Sequence, residues 1–188
     1  MSTALRQPWT AERFLAWAGG QEGRWEFDGF QPVAMTGGTI NHGMIMRNLH
    51  RALDMGLRGS GCQALGPDVG LATQGEGIRY PDALVTCSPQ DGTARTVAGA
   101  VVVFEIVSPS SGGVDRIIKV REYAGVASLR YYVIVESTSV GLLVLHRHSG
   151  ADAWTAETLT GADTLRLVSL NIDVPVSALY TDVAFPGV

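Results

Sequence analysis

The chain has 188 residues, 46% hydrophobic and 17% charged, a composition that fits one globular domain, residues 1–188, and excludes a disordered chain. Its 14 basic and 18 acidic residues leave a net charge of −4, which excludes a dedicated nucleic-acid coat; any contact with DNA has to use a local basic patch. The 23 glycines point to many tight turns and a sheet-rich fold. Met1 to Trp9 contains no apolar core of signal-peptide length, and the densest apolar stretch, Val97 to Val107, is interrupted by Gly99 and Glu105 and is too short to span a bilayer. Cys62 and Cys87 form no CxxC motif, and Cys87, in a strand-like run, is expected to be a buried thiol. A cytoplasmic protein with no membrane partner is the default expectation.

Thr10 to Ala18 reads as a short helix capped by Thr10. Arg24 to Phe27 and Phe30 to Met35 flank Asp28-Gly29, a hairpin signal. After a loop at Thr36 to Thr39, the helical spacing of Met44, Ile45, Leu49, Ala52, Leu53 and Leu57 predicts a helix over Ile40 to Leu57. Arg47, Arg51 and Arg58 fall largely on another face of it. Strands are expected at Cys62 to Leu65, Val69 to Ala72, Ala83 to Cys87 and Ala100 to Val107, the last apolar on both faces like a doubly covered central strand. Ser108 to Gly113 is a loop. Val114 to Tyr123 is a helix with Val114, Ile117 and Ile118 facing inward and Gly125 closing it. Strands at Arg130 to Val135 and Gly141 to Leu145 follow, the first forming a crossover unit with Ala100 to Val107. From Trp154 the tail reads as one or two further strands and a turn near Ser177 to Leu179. The class is mixed α/β, one central sheet with helices beside it.

An acidic residue near the end of a fully apolar strand, Glu105, is the most informative oddity, because a buried carboxylate is costly unless paired or bound to a cation. Pro81-Asp82 opens a neighbouring strand. Two carboxylates from adjacent strands could share Mg²⁺, which takes one or two carboxylates plus water and phosphate and can activate water against a phosphodiester. Lys119, on the helix after the Glu105 strand and four residues from Asp115, is the natural third partner. Singly, each has a plainer reading: Asp115 and Lys119 a solvated ion pair, Pro81-Asp82 turn chemistry, Glu105 a strand end reaching solvent.

In combination they resemble a known family. Pro81-Asp82, Phe104-Glu105-Ile106-Val107-Ser108-Pro109-Ser110, Asp115 with Lys119 and Tyr123, and Tyr131 to Glu136 look like the Uma2 family of restriction-endonuclease-like proteins, within the PD-(D/E)xK nuclease superfamily. Trp25-Glu26-Phe27-Asp28-Gly29, His42 through Leu53 and Pro67-Asp68-Val69-Gly70 extend the likeness, so that it covers roughly Arg24 to Leu145. The resemblance implies a restriction-endonuclease-like mixed central β-sheet flanked by helices, with an N-terminal hairpin. It also implies that Asp82 and Glu105 are metal ligands, with the Ile106 carbonyl as a third. The lysine expected two residues after the glutamate is replaced by Val107, and Lys119 matches the place to which such a lysine moves on the next helix. Glu26 matches an acidic residue near the site. The opening hairpin is one residue shorter than the family pattern, and Glu136 stands where aspartate is common.

The resulting expectation is an endonuclease that uses Mg²⁺ (or Mn²⁺) to hydrolyse DNA. Asp82 and Glu105 hold the ion, and Lys119 stabilises the phosphate or orients water. Asp115 and Glu26 tune the site, and Arg47, Arg51 and Arg58 touch backbone phosphates. The alternative is a binding or scaffold protein of the same fold with an idle cluster. A homodimer is expected by analogy alone. Other signals carry less. His146 and His148 lack a third ligand and read as hairpin surface; His42 matches a family position near the helix start from which it could approach the site, with helix capping the plainer reading. Ser108 to Gly113 lacks a P-loop lysine, no GxSxG elbow occurs, and Tyr131-Tyr132 reads as strand core and rim.

Overall fold

The computed structural model describes residues 8–107 and 113–185, the backbone alone for 113–116. Helix α1 (Ala11–Ala18) starts where Thr10 accepts the Arg13 N–H, and its Phe14 is buried. Strands β1 (Arg24–Phe27) and β2 (Pro32–Met35) form the opening hairpin. Its loop is longer than a two-residue Asp28-Gly29 turn: Phe27 pairs with Pro32, and the Asp28 carboxylate accepts the N–H groups of Phe30 and Gln31. Gly29 has φ +89°, and its Cα lies so close to the Gly75 carbonyl that a Cβ would meet that oxygen at 2.6 Å. Helix α2 (Ile40–Gly56) begins at Thr39, whose side chain accepts the His42 N–H, and it buries Ile45, Leu49 and Leu53.

Five strands follow in the middle of the chain. They are β3 (Gln63–Leu65), β4 (Leu71–Ala72), β5 (Ile78–Arg79), β6 (Ala83–Thr86) and β7 (Ala100–Val107). Helix α3 (Gly113–Ala124) then leads to β8 (Tyr131–Glu136), β9 (Leu142–His146) and β10 (Thr155–Leu159), and the chain finishes with β11 (Thr164–Leu167), β12 (Ile172–Pro175) and α4 (Val176–Leu179). The central sheet is mixed, in the order β10-β9-β8-β7-β6-β3, with β7 and β8 parallel across α3 and the other neighbours antiparallel. A second sheet, β2-β1-β5-β4, carries the N-terminal hairpin.

Both faces of the central sheet are covered, as the apolar run of β7 predicts. Val102, Phe104 and Ile106 pack with α2, the β11–β12 hairpin and α4. Val103 and Val107 pack with Tyr123 of α3, Tyr132 and Leu129. Strand period then fixes the consequence for Glu105: it faces the α3 layer.

Three expectations are corrected. Ile117 and Ile118 are exposed, at 67% and 43%; α3 instead turns Glu122 and Tyr123 inward. The sheet face it covers holds a buried carboxylate, so hydrogen-bonding groups are selected there over aliphatic ones. Cys87 is not a buried thiol: it is exposed and bonded to Cys62, one residue beyond the paired Gln63 and Thr86 of β3 and β6. Strand β5 is too short for a periodic signal and has no counterpart among the expected strands. Among the described residues no helix is long and apolar enough to cross a membrane.

Candidate functional site

Extending the antiparallel pair Ala83 and Phe104 by one position sets Asp82 across from Glu105, and directly opposed residues share a face. Asp82 Oδ2 accepts the Ile106 N–H at 2.7 Å, and Oδ1 lies 3.2 Å from His42 Nε2. His42 is held in place by the Thr39 cap and by Gly38, where a Cβ would meet the imidazole ring at 2.7 Å. Two turns further along α2, His50 Nε2 lies 3.1 Å from the Asp82 carbonyl oxygen.

Glu105 is 7% exposed, so the strand-end-in-solvent reading is excluded. Lys119 Nζ donates to both of its oxygens at 3.2 Å, and the Tyr123 hydroxyl donates to Oε1 at 2.7 Å. Lys119 and Tyr123 are four residues apart and so share the face of α3 turned to the sheet. Lys119 is therefore no wet surface residue; its side chain is 13% exposed. It is also the only lysine in the chain, the other thirteen of the fourteen Lys and Arg residues being arginine. Glu26 Oε1 lies 3.8 Å from Lys119 Nζ and accepts the Tyr80 N–H, and Oε2 accepts from Arg79 at 3.0 Å. Arg79 in turn grips Glu122 with two bonds of 2.6 and 2.8 Å.

Burial pushes the Glu105 carboxyl up to about 7; the Lys119 charge holds it down, while Glu26 and Asp82 push it further. His42 is raised as well, by its hydrogen bond to Asp82, which outweighs burial. Burial and the Glu105 charge raise the Tyr123 phenol, which keeps it a donor. Burial works against the charge of Arg79, but the bonds to Glu122 and the charge of Glu26 raise it overall.

The pH dependence of stability follows from these directions. A raised Glu105 contributes stability that is complete below its ordinary 4.5 and is lost as pH rises through about 7; His42, also raised, acts in the same direction at higher pH. The metal-free protein should lose up to about 3 kcal/mol between pH 5 and pH 8 from Glu105, since a tenfold difference in proton affinity between the folded and unfolded chain is about 1.4 kcal/mol. Urea unfolding at the two pH values measures this. Glu105→Gln should flatten the slope; an unchanged slope in the variant would refute the assignment.

The expected residues divide into three groups. Asp82, Glu105, Lys119 and Glu26 come together, with the Ile106 backbone bound to Asp82 through its N–H. Arg47 and Arg51 lie on the exposed face of α2, and Arg58 is exposed just past its end. Arg47 and Arg51 line a groove of about 930 Å³ against Asp173 and Asp182, and Arg47 sits 3.7 Å from Asp182. The Asp115 side chain and Ser108 to Gly112 lie outside the described residues. Of the two readings of His42, helix capping and approach to the site, the geometry has the second: Thr39 caps the helix, and His42 Nε2 lies 3.2 Å from Asp82. Sequence reasoning missed Arg79 and Glu122; the available signal was a charged residue between Ile78 and Tyr80, three positions before Asp82.

A hard divalent cation fits the donor chemistry. Two carboxylates from adjacent strands present only oxygen donors; both Asp82 oxygens and Glu105 Oε2 keep a lone pair beyond the one partner each has here, whereas Glu105 Oε1 accepts from both Lys119 and Tyr123. Among the described residues no three His, Cys, Asp or Glu side chains form a cage. The set therefore suits an ion that retains several waters, as Mg²⁺ does.

A family model described as "Putative restriction endonuclease", Uma2, matches residues 11–177, beyond both ends of the stretch that carried the resemblance. The uncharacterized protein slr1290 of Synechocystis is 31% identical over 176 residues, 93% of this chain and 92% of that protein. In structure the chain is similar to a "putative nuclease belonging to DUF820" from Anabaena variabilis, with a TM-score of 0.74 and 13% identity, covering 93% of this chain and 98% of the other.

Proposed function

This chain belongs to the Uma2 family, and from that premise we propose that it is a metal-dependent endonuclease hydrolysing phosphodiester bonds of DNA. The observation that carries the reading is the placement of the only lysine, at 3.2 Å from both oxygens of a buried glutamate that stands across from Asp82. Asp82 and Glu105 would hold Mg²⁺ or Mn²⁺, with the Ile106 carbonyl as the third donor. Such a cation, when bound, supplies an acidified water and offsets phosphate charge. The chain's own residues do the rest. Lys119 offsets the charge that grows on the phosphate or orients the attacking water. Tyr123 and His42 fix the rotamers of Glu105 and Asp82 by a hydrogen bond each. Glu26, 3.8 Å from Lys119, helps balance its charge, and Asp115 adds negative charge on the same helix. Arg47, Arg51 and Arg58 give the acidic chain a local stripe for backbone phosphates. The test is cleavage of single-stranded, duplex and damaged DNA with Mg²⁺ or Mn²⁺, using Asp82→Ala as control. Cleavage that persists in Asp82→Ala would overturn the reading.

An idle scaffold is favoured by one observation: every oxygen of Asp82 and Glu105 already has a protein partner, so the cluster is satisfied without a cation. Stabilisation by Mg²⁺ separates the two readings.

A further inference from the structure

We infer that Arg79 is the positioning residue of this site: by engaging Glu122 and the far oxygen of Glu26, it reserves Lys119 for Glu105. Among the described residues four carboxylates meet here, Glu26, Asp82, Glu105 and Glu122, facing the cations Arg79 and Lys119 and the imidazole of His42. Arg79 is 3% exposed and sits on β5, whose backbone pairs with β1 on one side and β4 on the other. Its planar fork is suited to hold two carboxylates at once in a fixed geometry. It spends two donors on Glu122 and one on Glu26 Oε2. An ammonium has no such fork and settles wherever negative charge is least compensated. Lys119 now settles on Glu105, at 3.2 Å, over Glu26, at 3.8 Å. Without Arg79, Glu26 keeps the Tyr80 N–H and the 3.8 Å approach of Lys119, so this buried carboxylate draws Lys119 toward it and away from Glu105.

One short segment thus supplies both parts of the site: Arg79 sorts the carboxylates, and three residues later Asp82 faces Glu105. The guanidinium touches no reacting group, so its effect passes through Glu26, Glu122 and the α3 helix. The inference rests on the metal-site reading only for the consequence in catalysis; the placement of Lys119 can be read without substrate or metal.

Because Lys119 is the only lysine, it gives the only lysine ammonium resonance in a ¹⁵N-labelled protein. In the parent, Glu105→Gln should move that resonance further than Glu26→Gln does. In the background Arg79→Met/Glu122→Gln, which removes the charge Glu122 would otherwise leave unpaired, the order should reverse. The same order in both backgrounds would overturn the inference. Should that background not fold, Arg79→Lys keeps the charge without the fork and carries the same comparison, with Lys119 assigned through Lys119→Gln. If the parent cleaves DNA, Arg79→Lys should lower kcat by roughly 10–100-fold, the usual effect of disturbing groups that orient a metal site. KM and the Mg²⁺ midpoint should stay within about twofold, because Asp82 and Glu105 remain. A loss confined to KM or to the metal midpoint would also overturn it. A parent that cleaves nothing leaves the resonance comparison decisive and sinks only the nuclease reading.

Discussion

Asp82→Asn should abolish the response of this protein to Mg²⁺ while leaving the metal-free fold as stable as the parent or more so. The amide retains an acceptor for the Ile106 N–H, so the strand end at β6 keeps its bond. It removes one of the negative charges that press on Glu105, whose carboxyl is held up at about 7 partly by Asp82 and Glu26. In the parent, Mg²⁺ at about 100 times its dissociation constant adds about 2.7 kcal/mol by mass action. For a chain of this length that raises the melting midpoint by roughly 5–10 °C. The variant lacks one of the two carboxylates proposed to hold the ion, so its midpoint should not move. Thermal unfolding of both proteins with and without Mg²⁺ decides the matter. Equal shifts would place the cation elsewhere, and a variant much less stable without metal would mean that Asp82 serves the fold.

Lys119→Met should separate binding from catalysis. A solvated pair on a helix surface would be worth about 0.3–0.5 kcal/mol and nothing more. The structure puts the ammonium between Glu105 and Glu26 with little solvent around it, so its loss exposes two buried carboxylates to each other. The metal-free variant should be less stable than the parent at pH 8, and the difference should shrink at pH 5 as Glu105 takes up a proton. Mg²⁺ should still bind, because the ion replaces the missing positive charge. Single-turnover cleavage with saturating Mn²⁺ should fall by about 10²–10³, the cost of removing one preorganised donor of positive charge. Lys119→Arg should restore little, since a planar guanidinium cannot sit where a compact ammonium donates to both oxygens of Glu105. A chain that uses arginine at its other thirteen basic positions and lysine at this one is consistent with that demand. Cleavage unchanged in Lys119→Met would remove it from the mechanism.

Much of the fold is legible in the chain itself, for reasons that are local. The span of β7 follows from a run apolar at every position but Glu105, that of α2 from helical spacing and that of α1 from a threonine cap, because period and capping act within a few residues. The parallel pairing of β7 with β8 follows because strand, helix and strand in that order leave few alternatives. The pair Asp82 and Glu105 is legible too, as two acids placed against strongly apolar strands. Other features depend on distance in space, and no local pattern encodes them. The inward face of α3 is one: an aliphatic stripe through Ile117 and Ile118 is the natural local choice, yet the buried Glu105 demands donors, so Lys119 and Tyr123 face it and the isoleucines turn to solvent. The bond between Cys62 and Cys87 is another, since it depends on β3 lying beside β6. Arg79 with Glu26 and Glu122 is the clearest case. The three come from three elements, Arg79 lying 53 positions from Glu26 and 43 from Glu122; Glu26 is legible only through the family resemblance, and Arg79 and Glu122 each read alone as an ordinary surface charge. A charge becomes costly, and its partner obligatory, only once packing has taken water away from it, and that is decided by the tertiary structure.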